Sequence, residues 1–460
     1  MNPERKSYPR YKSHAPQILT ASATMLLLRC LLDLLYVSYV DRFFPDSFGA
    51  GLFRFDGLDL GRFVESYAVA FGLGVWLIIS LSRRCRPSGI ALILYFVGVV
   101  LPLTSLYGLV DVPACFMYAV VGCFSVLIMI ADLLPRVRVP RPSRELVDLG
   151  MIAIIGVSIY VYGQLALTGG LARLNLDLLS VYAVRSEYTS NYAPLFGYFV
   201  PWQANLFNML LLCYALHKRS IMLIVLATTA LLLLFGMTGF KSFLLAPLLA
   251  AGVYVVWGRK NALFCIFSGV IALVAVSYAT FWVTGNHLVS SMLIRRLLFV
   301  PASNHILYYD FFSNPSHSFV LLSNSILEPF VQYPYDMSIT RVISWAYWGR
   351  DFGPNAGYLA DAFAHFGLAG MLGFSIILGL FLRTLDSVAK SLPSNLVAAI
   401  VAVPCMALVN SALLTSLLTH GLIPALFVIW LLRAIFCRRN DEDKKANADA
   451  LPVAKESRGE

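Results

Sequence analysis

Charged residues are scarce in this sequence: Asp, Glu, Lys and Arg make up 13% of its 460 positions, whereas hydrophobic residues make up 59%. Soluble globular domains carry about 25% charged residues. The scarcity of charge therefore excludes a soluble enzyme or a soluble binding domain. The composition instead predicts an all-α polytopic membrane protein.

The sequence also lacks the motifs of nucleotide and metal chemistry. It contains no P-loop, no GxGxxG that opens a helix and no obvious internal repeat. Its eight cysteines form neither a CxxC pair nor a Cys/His cluster. We therefore expect no disulfide framework, no metal site and no cofactor, and we interpret the cysteines as small apolar residues of the bundle.

Long apolar runs are abundant, and about twelve of them can cross a membrane, because a spanning helix needs about 20 residues. They lie near 17–40, 63–82, 88–107, 112–132, 147–164, 193–214, 219–236, 240–258, 262–284, 355–382, 395–417 and 420–437. The first run follows a polar head and shows no clear cleavage site, so we expect it to be retained. We predict one integral membrane domain over 1–460, with a disordered tail at 438–460.

Lys and Arg residues lie mainly on one side of these spans. If the N-terminus is cytoplasmic, the cytoplasmic segments hold 24 of the 35 basic residues and the outer segments hold ten, while Arg29 lies in the first span. Positive loops are retained in the cytoplasm, so we expect both termini there. The net charge of +10 then reflects topology and contact with membrane lipids, and we expect no nucleic-acid partner.

Two outer connections are long: the first outer loop, 165–192, and the second outer loop, 285–354. Long ordered connections usually carry function. The start of the second outer loop, "SMLIRRLLFVPASNHILYYDFF", surrounds Arg295 and Arg296 with leucines, which predicts an amphipathic helix in the membrane interface. A later part, "YPYDMSITRVISWAYWGRDFGPN", is rich in Tyr and Trp, which suits an interfacial belt and equally suits stacking on sugar rings.

Nine of the ten outward-facing cations are arginines, whose guanidinium binds phosphate or carboxylate through two parallel hydrogen bonds. The ten are Arg42, Arg54, Arg62, Arg173, Arg185, Lys241, Arg295, Arg296, Arg341 and Arg350. The alternative is that they anchor in the interface or pair with nearby carboxylates. We favour this alternative for the first three, which are interleaved with aspartates. For the arginines of the two outer loops we favour a shared anion site.

The run at 355–382 contains an ionisable pair, Asp361 and His365, which lie four residues apart and so share one helix face. Ionisable groups inside a span are costly and indicate a site or a pathway. The alternative is a structural pair packed between helices.

Four segments resemble the scattered motifs of the Wzy-type oligosaccharide repeat-unit polymerases, the O-antigen polymerase family. They are "SVYAVRSEYTSNYAPLFGY" (180–198), "GMTGFKSFLLAPL" (236–248), "RRLLFVPASNHILYYDFF" (295–312) and "NAGYLADAFAHFGLAG" (355–370). They cover the second half of the chain, whereas the first four spans show nothing specific to this family.

The resemblance implies a glycosyltransferase of the bacterial inner membrane, with an active site that faces the periplasm. Such an enzyme moves a growing glycan from undecaprenyl diphosphate onto the next lipid-linked repeat unit, without nucleotide sugar or metal. Its partners are the undecaprenyl-diphosphate-linked oligosaccharide and, in the same pathway, a chain-length regulator and a flippase. The family's functional loop arginines correspond here to Arg185, Arg341 and Arg350 and to one of the neighbours Arg295 and Arg296.

The chemistry of such a transfer assigns roles to these residues. A leaving lipid diphosphate gains negative charge, which positioned cationic donors can stabilise. Besides the loop arginines, the substrate-binding candidates are Lys241, Tyr309 and Asn355. The attacking hydroxyl must lose a proton to a nearby carboxylate or imidazole. The catalytic candidates are Asp361, His365 and Asp310, and His305 is a further outer-side candidate.

Two other functions fit parts of this pattern. A flippase or transporter of twelve spans predicts related halves and charged residues in several central helices, whereas the polar residues here concentrate outside the spans. An O-antigen ligase shares the architecture and differs in its acceptor, so the sequence leaves polymerase and ligase both open.

Overall fold

The computed structural model describes residues 14–83, 85–177, 181–190 and 193–449, and within these ranges the chain is helical and contains no β-strand. Its main helices are α1 (Ala15–Asp41), α2 (Leu60–Arg83), α3 (Gly89–Leu109), α4 (Ala114–Leu133), α5 (Arg144–Leu167), α6 (Val181–Ser190), α7 (Phe196–Lys218), α8 (Ile221–Thr238), α9 (Lys241–Val256), α10 (Ala262–Thr284), α11 (Val300–Ser313), α12 (Ile339–Trp348), α13 (Tyr358–Ser391), α14 (Ser394–Val409) and α15 (Leu413–Cys437).

Ten of these described helices are long and apolar enough to span a membrane, and two shorter apolar helices, α9 and α14, lie among them. Each of the twelve predicted runs corresponds to one of the twelve helices. The all-α polytopic membrane fold is confirmed. Helix α15 is interrupted by a turn at 418–421, and its main part, Leu422–Asp449, continues past Cys437. Residues 438–449 are therefore helical where a disordered tail was predicted, and residues 450–460 lie outside the described ranges.

Helix α13 is not one straight span. Its backbone leaves helical geometry at Phe366 and at Gly367, which has a φ of +60° and a ψ of −146°. The Tyr358 hydroxyl nevertheless lies 3.4 Å from Ser375 Oγ, seventeen residues later. A continuous helix would separate these two residues by about 25 Å. The chain therefore doubles back.

We call this reversal the hairpin, with a first arm at 358–365 and a second arm at 368–388. The arms pack so closely that a Cβ at Gly370 would collide with the carbonyl oxygen of Ala362. The predicted span at 355–382 therefore combines a short arm that begins inside the bundle, at the buried Tyr358, with most of a full spanning helix. We call the side of the bundle that carries the two outer loops the outer side.

The second outer loop also enters the bundle. Residues Ser291–Phe299 form a π-helix with Arg296 exposed, which agrees with the predicted amphipathic pattern. The prediction of an interfacial helix is wrong for α11, because every residue from Pro301 to Tyr308 is buried. Helix α11 packs against α13, and its fully buried His305 lies 3.1 Å from the Tyr95 hydroxyl of α3.

A buried ion pair ties the first three helices together. The guanidinium of Arg29 pairs with Asp33 one turn later in α1, and Arg29 is fully buried. Arg29 also donates to Ser66 Oγ of α2 at 2.9 Å and to the Thr104 carbonyl of α3 at 3.1 Å. Asp33 accepts from Tyr67 at 2.7 Å and from other hydroxyls. The pair is thus surrounded by hydrogen-bonding partners from two neighbouring helices.

A second charged network joins helices on the inner side of the bundle, which is opposite the outer side. Arg86 pairs with Asp132 at the end of α4 and lies 3.7 Å from the carboxylate of Asp386 in α13. Asp386 in turn accepts hydrogen bonds from the backbone and the hydroxyl of Ser88. These contacts join α3, α4 and α13 where the second arm of the hairpin ends.

Removing one partner of the Arg29 and Asp33 pair should destabilise the protein. We expect Asp33→Asn to lower the free energy of unfolding by about 3–5 kcal/mol, because it leaves a buried guanidinium without its counter-charge. The double variant Arg29→Met with Asp33→Leu should recover most of this loss. Chemical unfolding of the purified protein in detergent measures both.

The matched control is Arg54→Ala, which removes an exposed arginine from a surface pair with Asp41 and should cost less than about 1 kcal/mol. Equal stability of Asp33→Asn and the wild type would show that the buried pair does not hold the three helices together.

Candidate functional site

Asp361 and His365 meet near the turn of the hairpin. His365 Nε2 lies 3.4 Å from Asp361 Oδ1, and the two side chains are 3% and 15% exposed, respectively. The backbone N–H of Leu322 donates to His365 Nδ1 at 3.0 Å. Because Nδ1 accepts that bond, the proton of a neutral imidazole is on Nε2 and points to the carboxylate. His365 therefore turns its Nε2 toward Asp361, whose side chain stays partly accessible at 15% exposure.

The loop that holds His365 also caps the first arm. The N–H groups of Val320 and Leu321 donate to the carbonyls of Ala364 and His365, which have no further helical turn to bond with. Leu321 and Leu322 adopt positive φ angles of 53° and 56°, a costly conformation for a leucine. The loop is therefore held in a strained shape that places an N–H opposite His365.

The segment before the hairpin runs along α11 in extended form. Asn304 of α11 donates to the Asn355 carbonyl at 2.7 Å, which leaves the Asn355 side chain exposed. A Cβ at Gly357 would lie 2.6 Å from the carbonyl oxygens of both Leu408 and Val409 at the end of α14. Only glycine permits this close approach, which seats the start of the hairpin against α14.

Sequence analysis did not identify the polar break that follows α14. The helix stops at Val409, and the half-buried Asn410 begins a turn before α15. The signal was present, because "NSALLTSLLTHG" at 410–421 interrupts an apolar stretch with Asn, Ser, Thr and His. The hairpin therefore faces a polar turn rather than a continuous apolar span.

Two arginines flank the segment that leads into the hairpin. Arg341 pairs with Asp351 at 3.0 Å, and both side chains are about half exposed, at 57% and 52%. Arg350 is exposed, and its carbonyl accepts a hydrogen bond from Ser344. An ion pair this exposed contributes little to stability, so Arg341 remains available to an anion.

The structure places Arg295 elsewhere. Its guanidinium lies 4.4 Å from the centre of the Phe44 ring beyond α1, and its Nε donates to Ser291. Burial and then the neighbouring charge of Arg296 lower the pKa of Arg295, but a guanidinium still stays protonated at neutral pH. Of the two neighbours, Arg296 is the exposed one.

A second cationic group lies around the turn between α8 and α9. Arg185 of α6 is exposed and sits 4.5 Å from the centre of the Phe240 ring. Lys241 begins α9 directly after this ring. Arg173 is buried, with its Nε on the Met237 carbonyl at 2.8 Å, so it supports the turn rather than facing outward.

The second cationic group lies near the outer end of α14. Asn395 of α14 donates to the Tyr254 carbonyl of α9 at 3.2 Å, which pairs the inner ends of these antiparallel helices. Because both helices rise 1.5 Å per residue, Lys241 reaches the level of Leu408. The side chains near Arg185 nevertheless belong to a hydrophobic cluster separate from that of the hairpin.

Tyr309 and Asp310 point in different directions from α11, Tyr309 toward Phe363 of the first arm and Asp310 away from it. Tyr309 packs against Phe116 and Phe363, with its hydroxyl 2.9 Å from Cys115 Sγ of α4. Asp310 is exposed and accepts from the Tyr347 hydroxyl at 2.5 Å. Burial and this hydrogen bond raise the pKa of Tyr347.

The structure does not bring Asp310 to the hairpin. Tyr308 bonds to the Pro354 carbonyl on the hairpin side, and Asp310 follows about 200° further round the helix. His305, a further candidate, is enclosed between α3 and Gly357 and has no exposed surface. Among the outer-side acid and base candidates, the hairpin therefore offers Asp361 with His365.

No group of three or more His, Cys, Asp or Glu side chains in the described ranges is arranged to hold a metal ion. Comparison of the chain with protein-family models, curated proteins and solved structures gives no match. The function is therefore inferred below from the geometry of the site and from the resemblance of its segments.

The histidine tautomers are directly testable. We expect neutral His365 to carry its proton on Nε2 because Leu322 donates to Nδ1, and we expect the opposite tautomer for His305, whose Nδ1 lies 2.7 Å from the Pro301 carbonyl. The ¹⁵N shifts of histidine-labelled protein in lipid report both, and the variants His365→Gln and His305→Gln assign the signals. An Nδ1-protonated His365 would contradict its orienting role toward Asp361.

Proposed function

We propose that this protein is a polymerase of lipid-linked oligosaccharide repeat units and that Asp361 is its general base. The observation that carries the proposal is the Asp361 and His365 pair, held near the turn of a hairpin and fixed by the Leu322 N–H. A buried ionisable pair is costly, and a bond from Leu322 that fixes its geometry favours a chemical role over a packing role. The resemblance of segment 355–370 to the polymerase family supports the same assignment.

The proposed reaction is a glycosyl transfer between two lipid-linked substrates. A hydroxyl oxygen of the fresh repeat unit attacks the anomeric carbon of the growing glycan and forms the new glycosidic bond. The bond from that carbon to the undecaprenyl diphosphate breaks, and its electron pair leaves with the diphosphate. Asp361 takes the proton of the attacking hydroxyl, while the Nε2–H of His365 holds the carboxylate in position.

The outer arginines supply the charge that the leaving group requires. Arg341 and Arg350 flank the path into the hairpin, and Arg185 and Lys241 lie beyond the end of α14. A diphosphate that develops charge between these two groups is stabilised by prepositioned guanidinium donors. Lysine would lose the two parallel hydrogen bonds at the arginine positions.

The site is proposed to face the periplasm of a bacterial inner membrane, with both termini in the cytoplasm. Support comes from the 24 basic residues on the inner side against ten on the outer side. The inner network of Arg86, Asp132 and Asp386 joins helices on the opposite side from the turn of the hairpin. Lipid-linked substrates would reach the hairpin from the outer half of the bundle.

Deletion of the gene and complementation with variants tests the proposal. We expect deletion to abolish long surface polysaccharide and to retain a single capping repeat unit. Wild type should restore long chains. Asp361→Asn should reduce polymer at least about 10²-fold because it keeps the shape and removes the basicity, and His365→Gln should have a milder defect because its amide still donates to Asp361.

The matched control is Asp336→Asn, which changes an exposed carboxylate of the same outer loop and should leave chain length unchanged. Variant protein levels in the membrane are compared by immunoblot. Loss of every repeat unit on deletion would indicate a ligase or a flippase instead. Near-normal chains from a well-expressed Asp361→Asn variant would refute the assignment of the base.

A further inference from the structure

A polar cleft lies on the face of α11 that points away from the hairpin. It is open, has a volume of about 600 Å³ and is lined mainly by Asp310, Phe311, Ser313, Asn314, His317 and Tyr347. This volume is within the range of small-ligand sites, which is roughly 300–1,000 Å³. The proposed reaction at Asp361 makes no use of these residues.

Hydrogen bonds and a ring stack with neighbouring residues hold the polar side chains of the cleft in place. The Tyr347 hydroxyl donates to Asp310 Oδ2 at 2.5 Å and contacts the Leu307 carbonyl at 3.2 Å. The His317 ring lies parallel to the Phe311 ring, with 3.7 Å between their centres. His317 Nδ1 lies 2.8 Å from the Phe311 carbonyl, so it donates there and leaves Nε2 as an acceptor.

The cleft thus offers both kinds of hydrogen-bonding group. The acceptors are Asp310 Oδ1 and His317 Nε2. Asn314 uses its Oδ1 to accept two hydrogen bonds from Ser316, so its amide N–H groups remain available as donors. A ligand that complements this set must itself donate and accept at several neighbouring positions, as the hydroxyls of a sugar do.

The charge of the cleft lining further restricts the class of ligand that can bind. The lining contains the carboxylate of Asp310 and no Lys or Arg side chain. A phosphate or a sugar acid would be repelled by the carboxylate and would find no cation to pair with. An apolar lipid chain would leave the polar lining unsatisfied. A neutral saccharide is not repelled by Asp310, and its hydroxyls can hydrogen-bond to the polar lining.

We propose that this cleft is a saccharide subsite that holds neutral sugar residues of the glycan away from the bond being formed. This inference rests on the proposed polymerase function and extends it from the reacting groups to the rest of the glycan chain. Because α11 separates the cleft from Asp361, a glycan held there stays bound to the protein between transfers. The cleft therefore raises affinity and chain length without taking part in the chemistry.

The test measures binding of a saccharide that has neither lipid nor phosphate. The probe is the repeat-unit oligosaccharide released from the surface polysaccharide by mild acid, titrated into full-length protein in lipid nanodiscs and followed by saturation-transfer NMR. We expect the wild type to bind it. Asp310→Asn and His317→Phe should each weaken binding about tenfold, the loss of one strong hydrogen bond, and His317→Phe keeps the ring stack on Phe311.

Two controls test whether the loss of oligosaccharide affinity arises in the cleft. Asp336→Asn should leave the affinity unchanged because its carboxylate lies outside the cleft lining. Inorganic pyrophosphate should not compete with the oligosaccharide, because the cationic groups lie elsewhere. In complemented cells, Asp310→Asn and His317→Phe should shorten the polymer. In reconstituted protein they should raise KM while kcat stays near the wild-type value.

The outcomes separate this inference from the proposed function. Absence of oligosaccharide binding to the wild type, or equal affinities for wild type, Asp310→Asn and His317→Phe, overturns the subsite. If binding maps to the cleft but the deletion strain still makes long polymer, the subsite stands and the polymerase function fails. If polymer formation requires Asp361 but the cleft variants bind the oligosaccharide as tightly as the wild type, the polymerase function stands and the subsite is wrong.

Discussion

The need to satisfy every backbone hydrogen bond away from water governs the outer half of this bundle. A helix that stops short leaves its last carbonyls without partners in the helix, and lipid cannot supply them. The first arm of the hairpin begins inside the bundle and stops at the reversal, and the N–H groups of Val320 and Leu321 bond to its last carbonyls. The same loop then places the Leu322 N–H against His365, so the geometry of the ionisable pair follows from the capping of the arm.

Much of this architecture can be predicted from the sequence. Hydropathy identifies all twelve apolar helices because each is an apolar run of roughly the length that crosses the hydrocarbon core. The pairing of Asp361 with His365 follows from their spacing of four residues on a helix. Both features depend on local sequence alone.

The hairpin and the burial of α11 could not be predicted in this way, because they depend on contacts between distant segments. Residues 355–382 form one mostly apolar run, and nothing in their periodicity distinguishes one span from two arms. Gly367 permits the reversal, but glycines are common in spans, and only the approach of Gly370 to Ala362 shows that the arms meet. Asp310 was a candidate because it lies on the outer side, and Arg295 was one because of the family resemblance. The structure turns Asp310 toward Tyr347 and Arg295 toward Phe44.

The hairpin is the central claim, and a cross-link across it is the most direct measurement. In a cysteine-free background, Tyr358→Cys and Ser375→Cys place thiols at two positions whose native side chains lie 3.4 Å apart. We predict efficient linkage by a short bismethanethiosulfonate reagent in native membranes, comparable to that of the one-turn control pair Met371→Cys and Ser375→Cys. A continuous helix would hold the test pair about 25 Å apart. Linkage of the control pair without linkage of the test pair would contradict the hairpin and the site built on it.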